Sequence, residues 1–282
     1  MKRILTSILL AASLLTFNSC DKIDEGQYTR FAGAAGTWYE TQVEIPHVQR
    51  AFIEKYTGVR CINCPKADEI IHAATDKYGD SVVVVAVHSR STGFGRPLGD
   101  DPSLCTESGD EWYDYFGIIT QPAAIINRTQ SNNSWDIFTP TSNFDDRIDA
   151  IVNQTPPIAI AIENGHEKDT HYTDIYIEFI QQQPGNLTLT LLLTEDKIYT
   201  RQSQQGVGEI ENYEQNHVLR TIVTNLWGLD IPHELSQHPG KAMILIHYQL
   251  PESCKAENCH AVAFVSHRDT RRIINCAQTN LQ

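Results

Sequence analysis

Two cysteines three residues apart, Cys61 and Cys64, follow a short apolar strand pattern over residues 51–57 and precede a helical pattern that runs to Tyr78. In such a pair one thiolate attacks a substrate disulfide, and the other cysteine lies close enough to resolve the mixed disulfide. The order strand, CxxC, helix therefore predicts a redox pair in which Cys61 attacks and Cys64 resolves. A purely structural disulfide at the same two positions is the alternative.

A second passage of the first half supports the same interpretation. Residues 82–87 form a continuous apolar run, which predicts a buried central parallel strand. Pro122 follows an aromatic–glycine–aliphatic segment and precedes another apolar run, as does the cis-proline that faces the CxxC in thioredoxin-like folds. The backbone before such a proline can pair with an extended peptide, whereas a trans proline at a strand start is the alternative. We predict a thioredoxin-like α/β domain over residues 51–154, with Cys61, Cys64 and Pro122 as its catalytic residues.

Two residues near the pair depart from thioredoxins. Arg60 replaces the tryptophan that normally precedes the first cysteine, and Lys55 replaces a buried acid that assists proton transfer. Arg60 favours a Cys61 thiolate by Coulomb attraction, whereas the acidic residues that follow the motif oppose it. Pro65 predicts a helix that starts with Cys64 as its cap, which points the helix dipole less directly at Cys61.

The second half of the chain has a different secondary-structure pattern. After a linker at residues 154–157, apolar runs alternate with Gly, Pro, Asn and Asp, and no long helical pattern occurs among them. This pattern predicts an all-β sandwich over residues 155–282. The strand-like runs cover residues 158–162, 174–180, 187–194, 217–224, 242–249 and 261–266.

The N-terminus predicts export and a lipid anchor. Lys2 and Arg3 precede an apolar run over residues 4–17, and Asn18-Ser19-Cys20 resembles a lipobox. We therefore predict a signal peptide over residues 1–19, lipidation of Cys20 and a stalk and lead-in over residues 20–50. An ordinary signal peptide with a chance cysteine is the alternative.

Charge and cysteine content narrow the kinds of partner and the cysteine roles to be expected. The formal net charge of −13 disfavours nucleic acid as a partner. Once Cys20 carries lipid, six cysteines remain in an oxidising compartment, which favours pairing. Cys254 and Cys259 are candidates for a structural disulfide, with a metal-binding or free-thiol role as the alternative. The pairing of Cys105 and Cys276 stays open.

Other site chemistries lack support in the sequence. The eleven histidines have neither the helical two-histidine spacing nor a CxxC with paired histidines that metal sites use. The sequence also has no Gly-x-Ser-x-Gly, Walker loop or dinucleotide fingerprint. We therefore predict no metal site and no cofactor.

Several segments together resemble the family called outer membrane protein twenty-eight. They are Cys20, Tyr56-Thr57-Gly58 before Cys61-Ile62-Asn63-Cys64-Pro65, Pro122 with Asn127-Arg128, Asn216-His217-Val218-Leu219-Arg220, and residues 258–265. The resemblance implies an outer-membrane lipoprotein of Gram-negative bacteria, facing the periplasm or the cell surface. It also implies a thioredoxin-like domain followed by an immunoglobulin-like one, and members of this family are described as surface adhesins or receptors.

Two functions are consistent with these features. In the first, the CxxC domain carries out thiol–disulfide exchange on exported proteins. In the second, the protein is a non-catalytic surface receptor or adhesin in which the Cys61–Cys64 bridge is structural. Either function implies a protein or peptide ligand, together with a membrane reached through the lipid anchor.

Overall fold

Strands account for most of the secondary structure in the computed structural model, which describes residues 37–141 and 143–281. The first half contains β1 (Trp38–Glu40), β2 (Ala51–Thr57), α1 (Cys64–Tyr78), β3 (Val82–His88), α2 (Glu107–Phe116), β4 (Ala123–Ile126), β5 (Gln130–Ser131), β6 (Ser134–Trp135) and α3 (Phe144–Val152). The second half contains β7 (Ile158–Glu167), β8 (Thr170–Phe179), β9 (Leu187–Glu195), β10 (Ile198–Gln204), β11 (Gly208–Gln215), β12 (Val218–Ile222), β13 (Leu229–Asp230), α4 (His233–Ser236), β14 (Gly240–Tyr248), β15 (Cys259–His267) and β16 (Ile273–Asn280). The fold is therefore β-rich, with few helices.

One sheet of eight strands runs through both halves of the chain. Its order is β16-β15-β9-β12-β3-β2-β4, and β13 pairs with β9. β2 and β3 are parallel, and β4 is antiparallel to β2. The halves join where Val218 of β12 pairs in parallel with Ala86 of β3. The boundary predicted between residues 154 and 155 thus separates segments that share a sheet.

The central strand β3 is buried along its whole length, as its continuous apolar run predicts. Val82 and Val84 pack in the apolar cluster that contains residues of α1 and α3. Val83, Val85 and Val87 pack on the other side, in the cluster that contains residues of α2. Helices therefore cover both faces of the sheet next to the CxxC.

A second sheet covers the other part of the main sheet. Its antiparallel order is β1-β14-β8-β7. Apolar residues of β7, β8 and β14 pack with those of β9 and β15 in one cluster, so two sheets enclose a common core. The hairpin β10–β11 pairs outside both sheets.

Some local boundaries differ from the sequence-based expectations. Helix α1 has Asn63 as its N-cap and Cys64 as its first residue, so the expected start with Cys64 as cap was one residue late. Helix α3 has Asn143 as its N-cap.

Candidate functional site

Cys61 and Cys64 are joined by a disulfide, with their Cα atoms 5.4 Å apart. Cys61 lies in the loop after β2, and Cys64 begins α1. The loop is a tight turn in which the Cys61 N–H donates to the Gly58 carbonyl at 2.9 Å and the Cys64 N–H to the Cys61 carbonyl at 3.2 Å. Ile62, between the cysteines, keeps 49% of its surface exposed.

Both cysteines are buried, with only 3% of Cys61 and 1% of Cys64 exposed. The hairpin β10–β11 lies against this loop and bonds to its backbone. The contacts are Ser203 N–H to Val59 O at 2.8 Å, Gln205 N–H to Ile62 O at 2.9 Å, and the Gln202 side-chain amide to Gly58 O at 3.3 Å and Cys61 O at 3.1 Å. The CxxC loop is thus held by a hairpin that comes from the second half of the chain.

The loop between β3 and α2 borders the CxxC loop as well. The Arg60 N–H donates to the Phe94 carbonyl at 2.9 Å, and the Arg60 guanidinium donates to the carbonyls of Arg96 at 3.0 Å and Pro97 at 2.5 Å. A Cβ at Gly58 would lie 2.5 Å from the Phe94 carbonyl oxygen, so this close approach needs glycine. Arg60, expected to favour a Cys61 thiolate, therefore directs its guanidinium at loop carbonyls.

Lys55, the residue found in place of a buried acid, has an acid as its partner. Its ammonium donates to Asp68 at 2.7 Å, and the Tyr213 hydroxyl of the hairpin donates to the same carboxylate at 2.8 Å. Burial and the Asp68 carboxylate raise the pKa of Tyr213. This cluster is not among the features predicted from the sequence, although Asp68 lies four residues after Cys64 and so on the same face of α1.

Pro122 lies at the end of the sheet from which the CxxC loop leaves. Ala123 of β4 pairs with Tyr56 of β2, and the Gln121 side-chain amide donates to the Thr57 carbonyl at 3.1 Å. The peptide bond between Gln121 and Pro122 is cis, as the sequence predicts. The structure thus brings Pro122 to the strand end that precedes Cys61.

Cys254 and Cys259 lie together in the structure but are free thiols. Their predicted disulfide is not formed here and stays a prediction. Among residues 37–141 and 143–281, Glu195, Cys254 and Cys259 are the one group of three metal-ligating side chains whose ligand atoms lie within 4.8 Å of one another. Cys105 and Cys276 are also free thiols, and Cys20 lies outside the described residues.

Residues 109–282, more than half of the chain, match the sequence model of a family described as outer membrane protein Omp28. The chain belongs to the Omp28 family. The family description places this protein at the outer membrane, as expected from the sequence. Within the described residues, no helix has both the length and the apolar character needed to cross a bilayer. The family match begins after Cys61 and Cys64, so membership alone does not assign a role to this Omp28 protein's CxxC.

Solved structures with TM-scores above 0.5 resemble this Omp28 protein in fold. HBP35 of Porphyromonas gingivalis has a TM-score of 0.66 and 16% identity, over 84% of this chain and 77% of that one. A protein of Agrobacterium tumefaciens has a TM-score of 0.52 and 15% identity, over 84% and 96%. A domain of the outer membrane lipoprotein Omp28 from Porphyromonas gingivalis has a TM-score of 0.33 and 20% identity, over 45% and 89%. No curated protein sequence matches the chain.

Proposed function

We propose that this Omp28 protein is a lipid-anchored receptor or adhesin that binds a protein or peptide, and that its Cys61–Cys64 bridge is structural. One observation carries the proposal, namely that both cysteines are buried in a loop to which the hairpin β10–β11 bonds. Thiol–disulfide exchange needs an incoming thiolate to reach a sulfur atom, and access is among the factors that set its rate. The bridge instead fixes the turn to which the hairpin bonds.

The fixed turn presents apolar side chains to solvent. Ile62 on the CxxC loop, Phe94 on the loop before α2 and Val207 at the tip of the hairpin are all exposed, and we call them the apolar rim. The three loops meet at residues 58–62 through the backbone bonds of Arg60 and Gln205. Exposed apolar clusters of this kind mark protein interaction sites. We infer that the rim contacts the protein or peptide ligand.

The connectivity supports a finer description of the two halves. The order β2, CxxC, α1, β3, with β4 antiparallel to β2, supports a thioredoxin-like α/β domain over residues 51–154. The two sheets that enclose one core support an immunoglobulin-like sandwich over residues 155–282. In this description the hairpin of the sandwich closes the CxxC of the α/β domain.

Thiol–disulfide exchange on exported proteins is the second candidate. It is favoured by the buried Lys55–Asp68 ion pair, which includes an acid one helical turn after Cys64. A carboxylate in that position can accept the proton of the resolving thiol. For this activity the hairpin has to move away from the CxxC loop.

An insulin-reduction assay on the soluble mature chain separates the two candidates. We expect the wild type and the Cys61→Ser, Cys64→Ser double variant to reduce insulin at the same rate as the dithiothreitol background, because the sulfur atoms are covered. A wild-type rate well above that of the double variant would replace the receptor proposal with the exchange activity.

The rim is tested by binding to immobilised matrix proteins, namely fibronectin, laminin and collagen. Val207→Asp puts a charge in the rim, whereas Val43→Asp puts the same charge on another exposed valine and serves as the control. We expect Val207→Asp to weaken binding about tenfold or more, since a charge in an apolar contact costs more than about 1.4 kcal/mol. Equal binding by the two variants would contradict the rim as the ligand surface. So would the absence of binding by the wild type and both variants.

A further inference from the structure

A second cysteine pair lies in the sandwich, next to a fixed positive charge. Cys254 is in the loop between β14 and β15, and Cys259 is the first residue of β15. The Arg220 guanidinium donates from Nε to the Cys254 sulfur at 3.3 Å. The two sulfur atoms lie within 4.8 Å of each other, so a side-chain rotation can bring them to bonding distance.

Arg220 is held in this position by other bonds. Its Nε lies 3.2 Å from a Glu195 carboxylate oxygen, and its Nη2 donates to the Ser253 hydroxyl at 2.7 Å. Glu195 in turn accepts from the Lys255 N–H at 2.9 Å. The Arg220 side chain is largely buried, so its attraction for a thiolate is weakly screened.

The two thiols are not equivalent. Cys254 is half-buried, whereas Cys259 is fully buried. The hydrogen bond with the Cys259 thiol lowers the pKa of Cys254, and Arg220 lowers it further, while burial and the Glu195 carboxylate act in the opposite direction. The same hydrogen bond and burial raise the pKa of Cys259. One thiol is thus favoured as the attacking thiolate and the other as the protonated partner.

A metal ion fits this group less well than a dithiol does. Glu195, Cys254 and Cys259 offer three ligand atoms, but the Arg220 guanidinium already contacts two of them. A cation at the centre of the group would be repelled by that charge. Two adjacent thiols without a metal ion can be oxidised to a disulfide in an oxidising compartment.

We propose that Cys254 and Cys259 form a redox-active dithiol that reacts with low-molecular-weight disulfides. The Cys254 thiolate attacks one sulfur of R–S–S–R, which forms a mixed disulfide as RS⁻ leaves. Cys259 then gives its proton to that RS⁻ and attacks the Cys254 sulfur, which forms the Cys254–Cys259 bond and releases a second RS⁻ that is protonated by solvent. The pair loses two electrons, and R–S–S–R becomes two thiols.

Cys105 supplies an internal control in the same chain. Cys105 is also half-buried, and its thiol donates to the Gly95 carbonyl at 3.2 Å. Burial raises the pKa of Cys105 to about 11. Since both thiols are partly accessible, a difference in their reaction rates reports on the thiolate rather than on exposure alone.

The test begins with the full mature chain, reduced and desalted at neutral pH. Iodoacetamide labelling mapped by mass spectrometry is expected to modify Cys254 at least about tenfold faster than Cys105. Arg220→Gln is expected to slow the labelling of Cys254, and Arg220→Lys to slow it less. Labelling of Cys105 as fast as Cys254, or no effect of Arg220→Gln, would overturn the role of the guanidinium.

Oxidised glutathione then probes the reaction itself. We expect it to convert the wild type to the Cys254–Cys259 disulfide and the Cys259→Ser variant to a stable glutathione adduct on Cys254. An adduct absent from Cys259→Ser would overturn the proposal. A Cys254–Cys259 disulfide that reduced glutathione cannot reduce until the protein is denatured would also overturn the proposal. One zinc ion bound per chain in the wild type, and lost in Cys254→Ser, would overturn it as well. The wild-type labelling rates keep the test valid if a serine variant fails to fold.

Discussion

Arg128 is a charged residue in the core. Its guanidinium bonds to the Glu54 carboxylate at 3.0 and 2.8 Å, and the two side chains are 1% and 0% exposed. The guanidinium also lies over the rings of Trp112 at 4.5 Å and Phe264 at 5.1 Å. The sequence marks Asn127-Arg128 as a family feature, but it does not predict the burial. Charged side chains are usually exposed, and a partner 74 positions away leaves no local signal.

Replacing Arg128 tests how much the fold depends on this pair. Arg128→Met leaves the Glu54 carboxylate buried without a partner, so we expect the free energy of unfolding in urea to fall by about 3–5 kcal/mol. Arg147→Met is the control, because Arg147 bonds to Asp136 with both side chains partly exposed, and we expect a loss below about 1 kcal/mol. A loss at Arg128 no larger than that at Arg147 would contradict the assignment.

The elements around the CxxC differ in how far the sequence predicts them. Local signals, namely apolar runs and helical spacing, predict β2, α1 and β3. The segment before Pro122 predicts the proline that directly precedes β4. The hairpin β10–β11 was missed because β11 is mostly polar and exposed, with no apolar run. Its contacts with the CxxC loop also cross about 140 positions, as from Gln202 to Cys61. The sequence therefore predicts the disulfide pair but not the hairpin that bonds to its loop. The choice between the proposed functions depends on that hairpin.

At the scale of the whole molecule, one sheet joins segments that the sequence assigns to separate domains. The composition changes at Pro156-Pro157, whereas the pairing of β12 with β3 depends on residues far apart in the chain. Two histidines lie at this junction. The His217 carbonyl accepts from the Ala86 N–H at 2.7 Å, and His88, at the end of β3, is fully buried. Protonation of either histidine would therefore add a positive charge where the two halves meet.

These histidines make the stability of the whole fold depend on pH. Burial, with Lys55 adding to it, lowers the pKa of His88 to about 3, and burial lowers the pKa of His217 to about 4. In the unfolded chain both bind protons near pH 6.5, so the unfolded state takes up protons first as the pH falls. Their contribution to stability is complete above about pH 6.5 and is lost on acidification, toward about pH 4 for His217 and about pH 3 for His88, by at most about 1.4 kcal/mol per pH unit for each histidine.

His88→Leu is expected to make the free energy of unfolding less dependent on pH between about pH 6.5 and about pH 4, because it removes a histidine whose pKa is lowered by burial in the fold. The measurement is urea unfolding at a series of pH values, which compares slopes and so is independent of any constant loss from the substitution. His72→Leu, on an exposed face of α1, is the matched control and should keep the wild-type slope. The same slope in His88→Leu as in the wild type would mean that His88 binds its proton equally well in the folded and unfolded chains, and that its burial at the junction carries no acid sensitivity.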